Sequence, residues 1–201
     1  MNRRRLLLTI AVAGVLAACG QSPDKFKGID LTGADFGRDF RLQDPSGKWR
    51  TLADFRGQYV MIFFGFVQCP SVCPTALVRA VEVRKALGPD SGRVQVLFIT
   101  VDPERDTPQL LRDYTQVFDA SIIGLRGDTQ LTRATAKEFR VYYEREPLGD
   151  SYTMSHTALT YIFDAQGRLR LAMPHDLKTE DYIADLRALM AQAAQPAKGK
   201  S

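Results

Sequence analysis

The chain has 201 residues, 45% hydrophobic and 25% charged, which suits a single domain with a sizeable core and excludes the disordered and fibrous classes. Its formal charge of +4 is concentrated at the start, where Arg3, Arg4 and Arg5 precede any acidic residue. Without residues 1–18 the basic count drops from 27 to 24 against 23 acidic residues, and the net charge falls to +1. So even a balance gives no ground for a nucleic-acid partner.

Residues 1–18 read as a secretory signal. A basic start leads into the apolar run 6–16 and then into small residues, and the run is too short for a membrane span. The segment Leu16-Ala17-Ala18-Cys19 is similar to the bacterial lipobox, which implies cleavage before Cys19 and lipidation of that cysteine. The protein is therefore expected in a bacterial cell envelope, lipid-anchored to a membrane and facing the periplasm or another extracytoplasmic space. Residues 19–30 then comprise the lipidated Cys19 and a flexible tether, since 21–28 is polar and carries proline and glycine. Cys69 and Cys73 remain as thiols in a compartment where a pair is oxidised unless something keeps it reduced.

Residues 36–43 and 48–50 flank the turn Asp44-Pro45-Ser46-Gly47 and predict a β-hairpin. Residues 51–57 make a short turn or helix closed by glycine. The run 58–66 is apolar without polar alternation, as a central strand covered on both faces requires. Pro74 predicts the start of the next helix, with Cys73 near its N-cap and Cys69 in the turn before it. The positive end of that helix favours thiolate, the form that attacks disulfides and binds metal. A structural disulfide, or two inert core cysteines, is the competing reading of the pair. Ala76, Ala80, Val83 and Leu87 give the helix one apolar face, and it ends at Gly88-Pro89.

A second buried strand is predicted over 94–101, followed by Asp102-Pro103-Glu104-Arg105-Asp106-Thr107-Pro108. Asp106 or Thr107 can cap the helix that follows, with Pro108 at its first position and Leu111, Tyr114 and Phe118 on its buried face. A short strand over 121–125, a helix over 129–139 and an extended segment over 140–145 come next. After Pro147-Leu148-Gly149-Asp150, residues 159–171 form two strands joined by an Asp-x-x-Gly turn. The last helix, 179 to 191, buries Ile183, Leu186 and Met190, and 193–201 is a disordered tail. Alternating strands and helices predict an α/β layer fold with its site at the C-terminal ends of strands.

This order of elements resembles the thioredoxin superfamily. The resemblance implies a thioredoxin-like domain over 31–192, a central mixed sheet flanked by helices, with the first hairpin as an N-terminal extension. Two departures from the redox enzymes of that superfamily stand out. Three residues separate the cysteines where those enzymes have two, and no proline occurs between Pro147 and Pro174, where they carry a cis-proline facing the cysteines. His156 stands near that place instead, which suggests metal capture rather than metal exclusion.

Three separated motifs, Cys69-Pro70-Ser71-Val72-Cys73-Pro74, the segment from Val101 to Pro108, and Ser155-His156-Thr157, resemble the Sco family of copper chaperones for cytochrome c oxidase. The resemblance implies that Cys69, Cys73 and His156 bind copper, as Cu(I) or Cu(II), for the dinuclear centre of the oxidase copper subunit. That subunit is the implied partner, beside other copper chaperones or thioredoxin-like reductants. Family members often carry Thr and Asp where Val67 and Ser71 stand here, so the hydrogen bonds around the ligands differ.

The residue chemistry agrees with the resemblance. Two thiolates and an imidazole are a soft mixed set able to hold Cu(I) with three donors, or Cu(II) with water or another donor added. Zinc is the competing metal, although no Glu stands at a spacing that would make a catalytic zinc site. His175 reads as a surface residue, Met154 as core, and Arg105 as a possible partner contact. Asp102 and Asp106 read as turn and cap residues, and the resemblance to the Sco family, which places an acidic residue near the metal, implies that Asp102 is a neighbour of the ligands. The leading function is thus a membrane-tethered copper metallochaperone, a transfer protein rather than a turnover enzyme. The alternative is a thiol–disulfide oxidoreductase that uses Cys69 and Cys73 to reduce cysteines of the oxidase copper subunit or of other extracytoplasmic proteins. A thiol peroxidase is weaker, because the pattern invests in a second cysteine and a histidine.

Overall fold

The computed structural model describes residues 26–194. The expected signal peptide and the lipidation site Cys19 lie outside the described residues, as does the expected tail of 193–201 except for 193–194, which are the last residues of the final helix, Thr179–Ala194. The core is a six-stranded mixed sheet in the order β1-β10-β9-β4-β5-β6. At its centre, β4 (Tyr59–Gly65) is buried along its whole length. It pairs in parallel with β5 (Val94–Thr100), which pairs in parallel with β6 (Ile123–Leu125). On its other side β4 pairs antiparallel with β9 (Leu159–Phe163), and β9 with β10 (Leu169–Pro174). These are the strands whose apolar runs lack polar alternation, because both of their faces are covered.

Adjacent residues of β4 face opposite sides. Phe63 stacks on Phe98, which meets Tyr114 of α2 (Pro108–Phe118). Phe64 meets Phe139 and Tyr161 on the far side, where Phe139 closes α3 (Thr129–Glu138). Helix α1 (Val72–Ala86) follows β4 and packs against α4 (Thr179–Ala194). The predicted N-terminal hairpin is present as β2 (Leu42–Gln43) and β3 (Trp49–Arg50), and Gln43 bridges to Arg126 just beyond β6.

Three expectations change. Residues 29–30, assigned to the tether, form β1 (Ile29–Asp30) against β10. The chain is held from residue 27 onward because the buried carboxylate of Asp185 accepts the Lys27 and Gly28 amides at 2.8–3.0 Å. The polar composition of the segment hides this anchor, which lies 157 residues away. Helix α1 begins at Val72 with Ser71 as its N-cap, so Cys73 lies inside the first turn and Pro74 is the third helical residue. Proline is tolerated there because the first N–H groups of a helix have no intrahelical partner. Finally, 143–156, expected as an extended segment and loop, is a separate two-stranded hairpin. Its strands, β7 (Tyr143–Leu148) and β8 (Ser151–His156), turn at Gly149, whose φ of 57° is a left-handed conformation open to glycine.

Candidate metal centre

The sulfurs come from the junction of β4 and α1. Cys69 lies in the turn after β4, half-buried, and Cys73 on the first turn of α1, fully buried. The helix amide of Cys73 donates to Cys69 Sγ at 3.3 Å, so one of the orphan N–H groups of the helix start is satisfied by sulfur. A hydrogen bond from the Cys73 thiol, and further ones from His156 and the helix amides, take the Cys69 thiol down to about 4 against the opposing effect of burial. Cys73 moves the opposite way: donating to Cys69, and then burial, push it well up. Metal-free, the pair therefore holds one thiolate, at Cys69, and one thiol, at Cys73.

Gly65 makes this packing possible. A Cβ there would lie 2.7 Å from Cys73 Sγ and 2.8 Å from Phe98 Cε2, inside contact distance. The sequence pattern did not single out Gly65. A glycine ending a buried strand just before a cysteine turn is the signal that marks it.

The imidazole arrives from the hairpin. His156 ends β8, three residues ahead of β9, the first strand of the Asp-x-x-Gly pair near which it was expected. Its ring stands edge-on to Phe63 and Phe66, with centroids 6.0 and 5.9 Å away. Nδ1 lies 3.0 Å from the Thr157 carbonyl oxygen. A carbonyl only accepts, so Nδ1 carries a proton and is engaged there, which leaves Nε2 as the ring nitrogen that faces the sulfurs. Nε2 stands 3.7 Å from Cys73 Sγ.

The donor atoms of Cys69, Cys73 and His156 all lie within 4.8 Å of one another. Metal–sulfur and metal–nitrogen bonds of about 2.3 and 2.0 Å place donors roughly 3.7 Å apart in a trigonal site, so the Cys73–His156 spacing already fits. The set is soft, and one of its donors, Cys69, is already deprotonated. A cavity of about 250 Å³, lined by Cys69, Val72, Met154 and His156 among others, opens beside it and leaves a side for an incoming ligand. Among the described residues, no helix is long and apolar enough to cross a membrane.

The remaining candidates fall around this centre. Asp102 is buried, and its carboxylate accepts from Arg105 and from the Tyr152 hydroxyl. It thus serves the hairpin rather than bonding to the sulfurs. Asp106 does not cap α2; Thr107 does, accepting from the Leu110 amide. Asp106 is buried instead, and Oδ2 accepts from the Thr100 hydroxyl at 2.5 Å and from the Val67 amide at 3.1 Å. Met154 is buried as expected and also lines the cavity beside His156. His175, expected at the surface, is half-buried, and burial together with Arg79 pushes its imidazole below the usual range.

The model of the SCO1/SenC family matches residues 30–191, most of the chain and all three donors. The chain belongs to the SCO1/SenC family. It is 40% identical over 157 residues to the mitochondrial SCO2 homolog of Mus musculus, a match covering 76% of this chain and 62% of that one. The bovine and human SCO2 homologs are matched over 50% of their length, so the chain spans about half to two thirds of these relatives. Among solved structures, copper-bound ScoI of Bradyrhizobium japonicum shares 40% identity at a TM-score of 0.69, covering 76% of this chain and 98% of that one. Copper-bound yeast Sco1 shares 30% identity at a TM-score of 0.72, covering 83% and 96%. The fold is the thioredoxin-like mixed sheet that the order of elements implied.

Proposed function

We propose that this SCO1/SenC protein is a membrane-tethered copper metallochaperone whose cargo is held by Cys69, Cys73 and His156. The observation that carries the reading is the convergence of the three ligand atoms: Nδ1 of His156 is engaged by the Thr157 carbonyl, Nε2 faces the Cys73 sulfur at 3.7 Å, and the two sulfurs and the imidazole lie within 4.8 Å of one another. Copper named in relatives of 30–40% identity supports the choice of metal. Cys69 accepts copper without losing a proton, whereas Cys73 releases its thiol proton as the ion enters. Three donors leave the ion coordinatively incomplete beside the cavity, so a partner ligand can bind before these donors let go. The acceptor in this reading is the copper subunit of cytochrome c oxidase, whose dinuclear centre the protein helps assemble. Lipidation of Cys19 would hold the domain at the extracytoplasmic face of a bacterial membrane.

The same thiols favour a second role. Cys69 is half-exposed and a thiolate, and Cys73 is buried behind it as a thiol. Cys69 can attack a partner disulfide, giving a mixed disulfide and a released thiolate. Cys73 then displaces the second partner sulfur, closing the Cys69–Cys73 disulfide, and its proton passes to the partner thiolates. The dithiol is oxidised by two electrons and the partner disulfide reduced by two.

Cu(I) titration of the reduced domain separates the roles. One tight equivalent is expected, lost in Cys69→Ser and Cys73→Ser and weakened about 10- to 100-fold in His156→Ala. Unchanged affinity in His156→Ala together with high disulfide reductase activity would replace the chaperone with the oxidoreductase.

A further inference from the structure

The motif from Val101 to Pro108 is not used by the donor set, yet it touches both halves of the site. Arg105 lies in the loop after β5, with a largely buried side chain. Its Nε donates to the buried carboxylate of Asp102. Nη1 donates to Gln68 Oε1 at 2.9 Å and to the Tyr152 carbonyl at 2.8 Å. The guanidinium also stacks on the Tyr152 ring, 3.7 Å from its centroid, while the Tyr152 hydroxyl returns a bond to Asp102 at 2.9 Å. Gln68 precedes Cys69, and Tyr152 stands on β8 in the same row as Met154 and His156, roughly 13 Å along the strand from the imidazole.

We propose that Arg105 is the positioning residue that sets the imidazole–thiol spacing, bracing the sulfur-bearing turn to the imidazole-bearing hairpin. The hairpin needs such a brace because β7 and β8 pair with each other and with no strand of the main sheet. Of its side-chain ties near the site, the ion pair of Arg145 with Glu104 is half-exposed, whereas Arg105, largely buried, hydrogen-bonds to the hairpin and to the residue before Cys69 together. Only a planar fork can serve Asp102, Gln68 and Tyr152 at once; the ammonium of a lysine is a point charge that cannot span them.

The inference rests on the copper reading of the site, so its test includes a measurement on the metal-free protein. Arg105→Met keeps the buried stem and removes the donors. The variant is expected to fold with two titratable thiols and with amide exchange over 151–156 at least about tenfold faster. Its copper affinity falls about 10- to 100-fold, and nitrogen hyperfine coupling in the Cu(II) spectrum is lost. His156→Ala added to Arg105→Met costs nothing further, because both changes remove the same ligand. Arg105→Lys recovers part of the loss. Wild-type exchange in Arg105→Met, or losses that add in full to those of His156→Ala, would overturn the brace. Should Arg105→Met not fold, Gln68→Ala cuts the exposed end of the brace: a smaller loss in the same direction supports the proposal, and unchanged exchange and affinity end it. If the wild-type protein takes no copper, the functional reading fails, while the exchange data still decide the brace.

Discussion

The two halves of the site are held by different physics. The sulfurs stand on the core: every residue of β4 is buried, Cys73 has no exposed surface, and Phe66 is 2% exposed beside it. The imidazole stands on an appendage in which Met154 is the one buried residue of the two strands. Packing of the first kind resists displacement in every direction, because each shift opens a void or makes a clash. Polar ties of the second kind hold one geometry and give way as a unit. For the proposed carrier the difference would matter: the sulfurs would stay where the core puts them, and cargo release would require only the hairpin to move.

The comparison breaks most severely at Gly65. A methyl group there meets Cys73 Sγ and Phe98 at 2.7–2.8 Å, and neither neighbour is a flexible chain end. Gly65→Ala is expected to cost about 2–3 kcal/mol in denaturant unfolding, as overpacked cores do, and to displace the Cys73 sulfur from Nε2. Amide exchange over 151–156 should stay at the wild-type rate. If the hairpin loosens as much as β4, the two halves are not held separately.

Asp106 sharpens the contrast through pH. Burial raises its carboxyl from 3.8 to about 6, against the hydrogen bonds from Thr100 and Val67 that oppose the shift. A carboxyl with a folded pKa above its unfolded one favours the protonated state in the fold. Its contribution is therefore fully present below about pH 4, shrinks as pH rises toward about 6, and is constant above that. Asp106→Asn keeps an acceptor for the Val67 amide and removes the titration. Its stability is expected to stay flat across that window and to exceed wild type by on the order of 1–2 kcal/mol at pH 7. A wild-type slope surviving in the variant would assign the pH dependence elsewhere.

The sequence revealed the core half of this contrast and missed much of the other. Strands β4, β5 and β9 were legible because burial on both faces leaves an unbroken apolar run, and the cysteine turn because it sits between such a run and a helix. The donor set was legible through three motifs, and the structure brings its atoms together. The β7–β8 hairpin was not, since polar and charged residues interrupt both strands and Pro147 argues against a strand. The roles of Asp102, Arg105 and Asp106 were also hidden. Their partners, Tyr152, Gln68 and Val67, lie 50, 37 and 39 residues away, and no local spacing records such a contact. The β1 anchor at Asp185 escaped for the same reason.

The smallest effect is expected at the rim of the hairpin. Arg145 and Glu104 approach to 2.5 Å, the same order as the Arg105 contacts, but their side chains are 47% and 52% exposed. In water and salt such a pair gains little, and holding two long side chains costs entropy, so it adds little to the hold on the hairpin. Glu104→Gln should therefore leave copper affinity and hairpin exchange within about twofold of wild type, and raising the salt concentration should change nothing further. Distance alone would rank this pair with the brace; burial ranks it far below, because a contact that water can replace does not fix a geometry. If Glu104→Gln loosens 151–156 as much as Arg105→Met does, the hairpin is held along its rim, and the imidazole owes its position to the exposed ion pair instead of the buried fork.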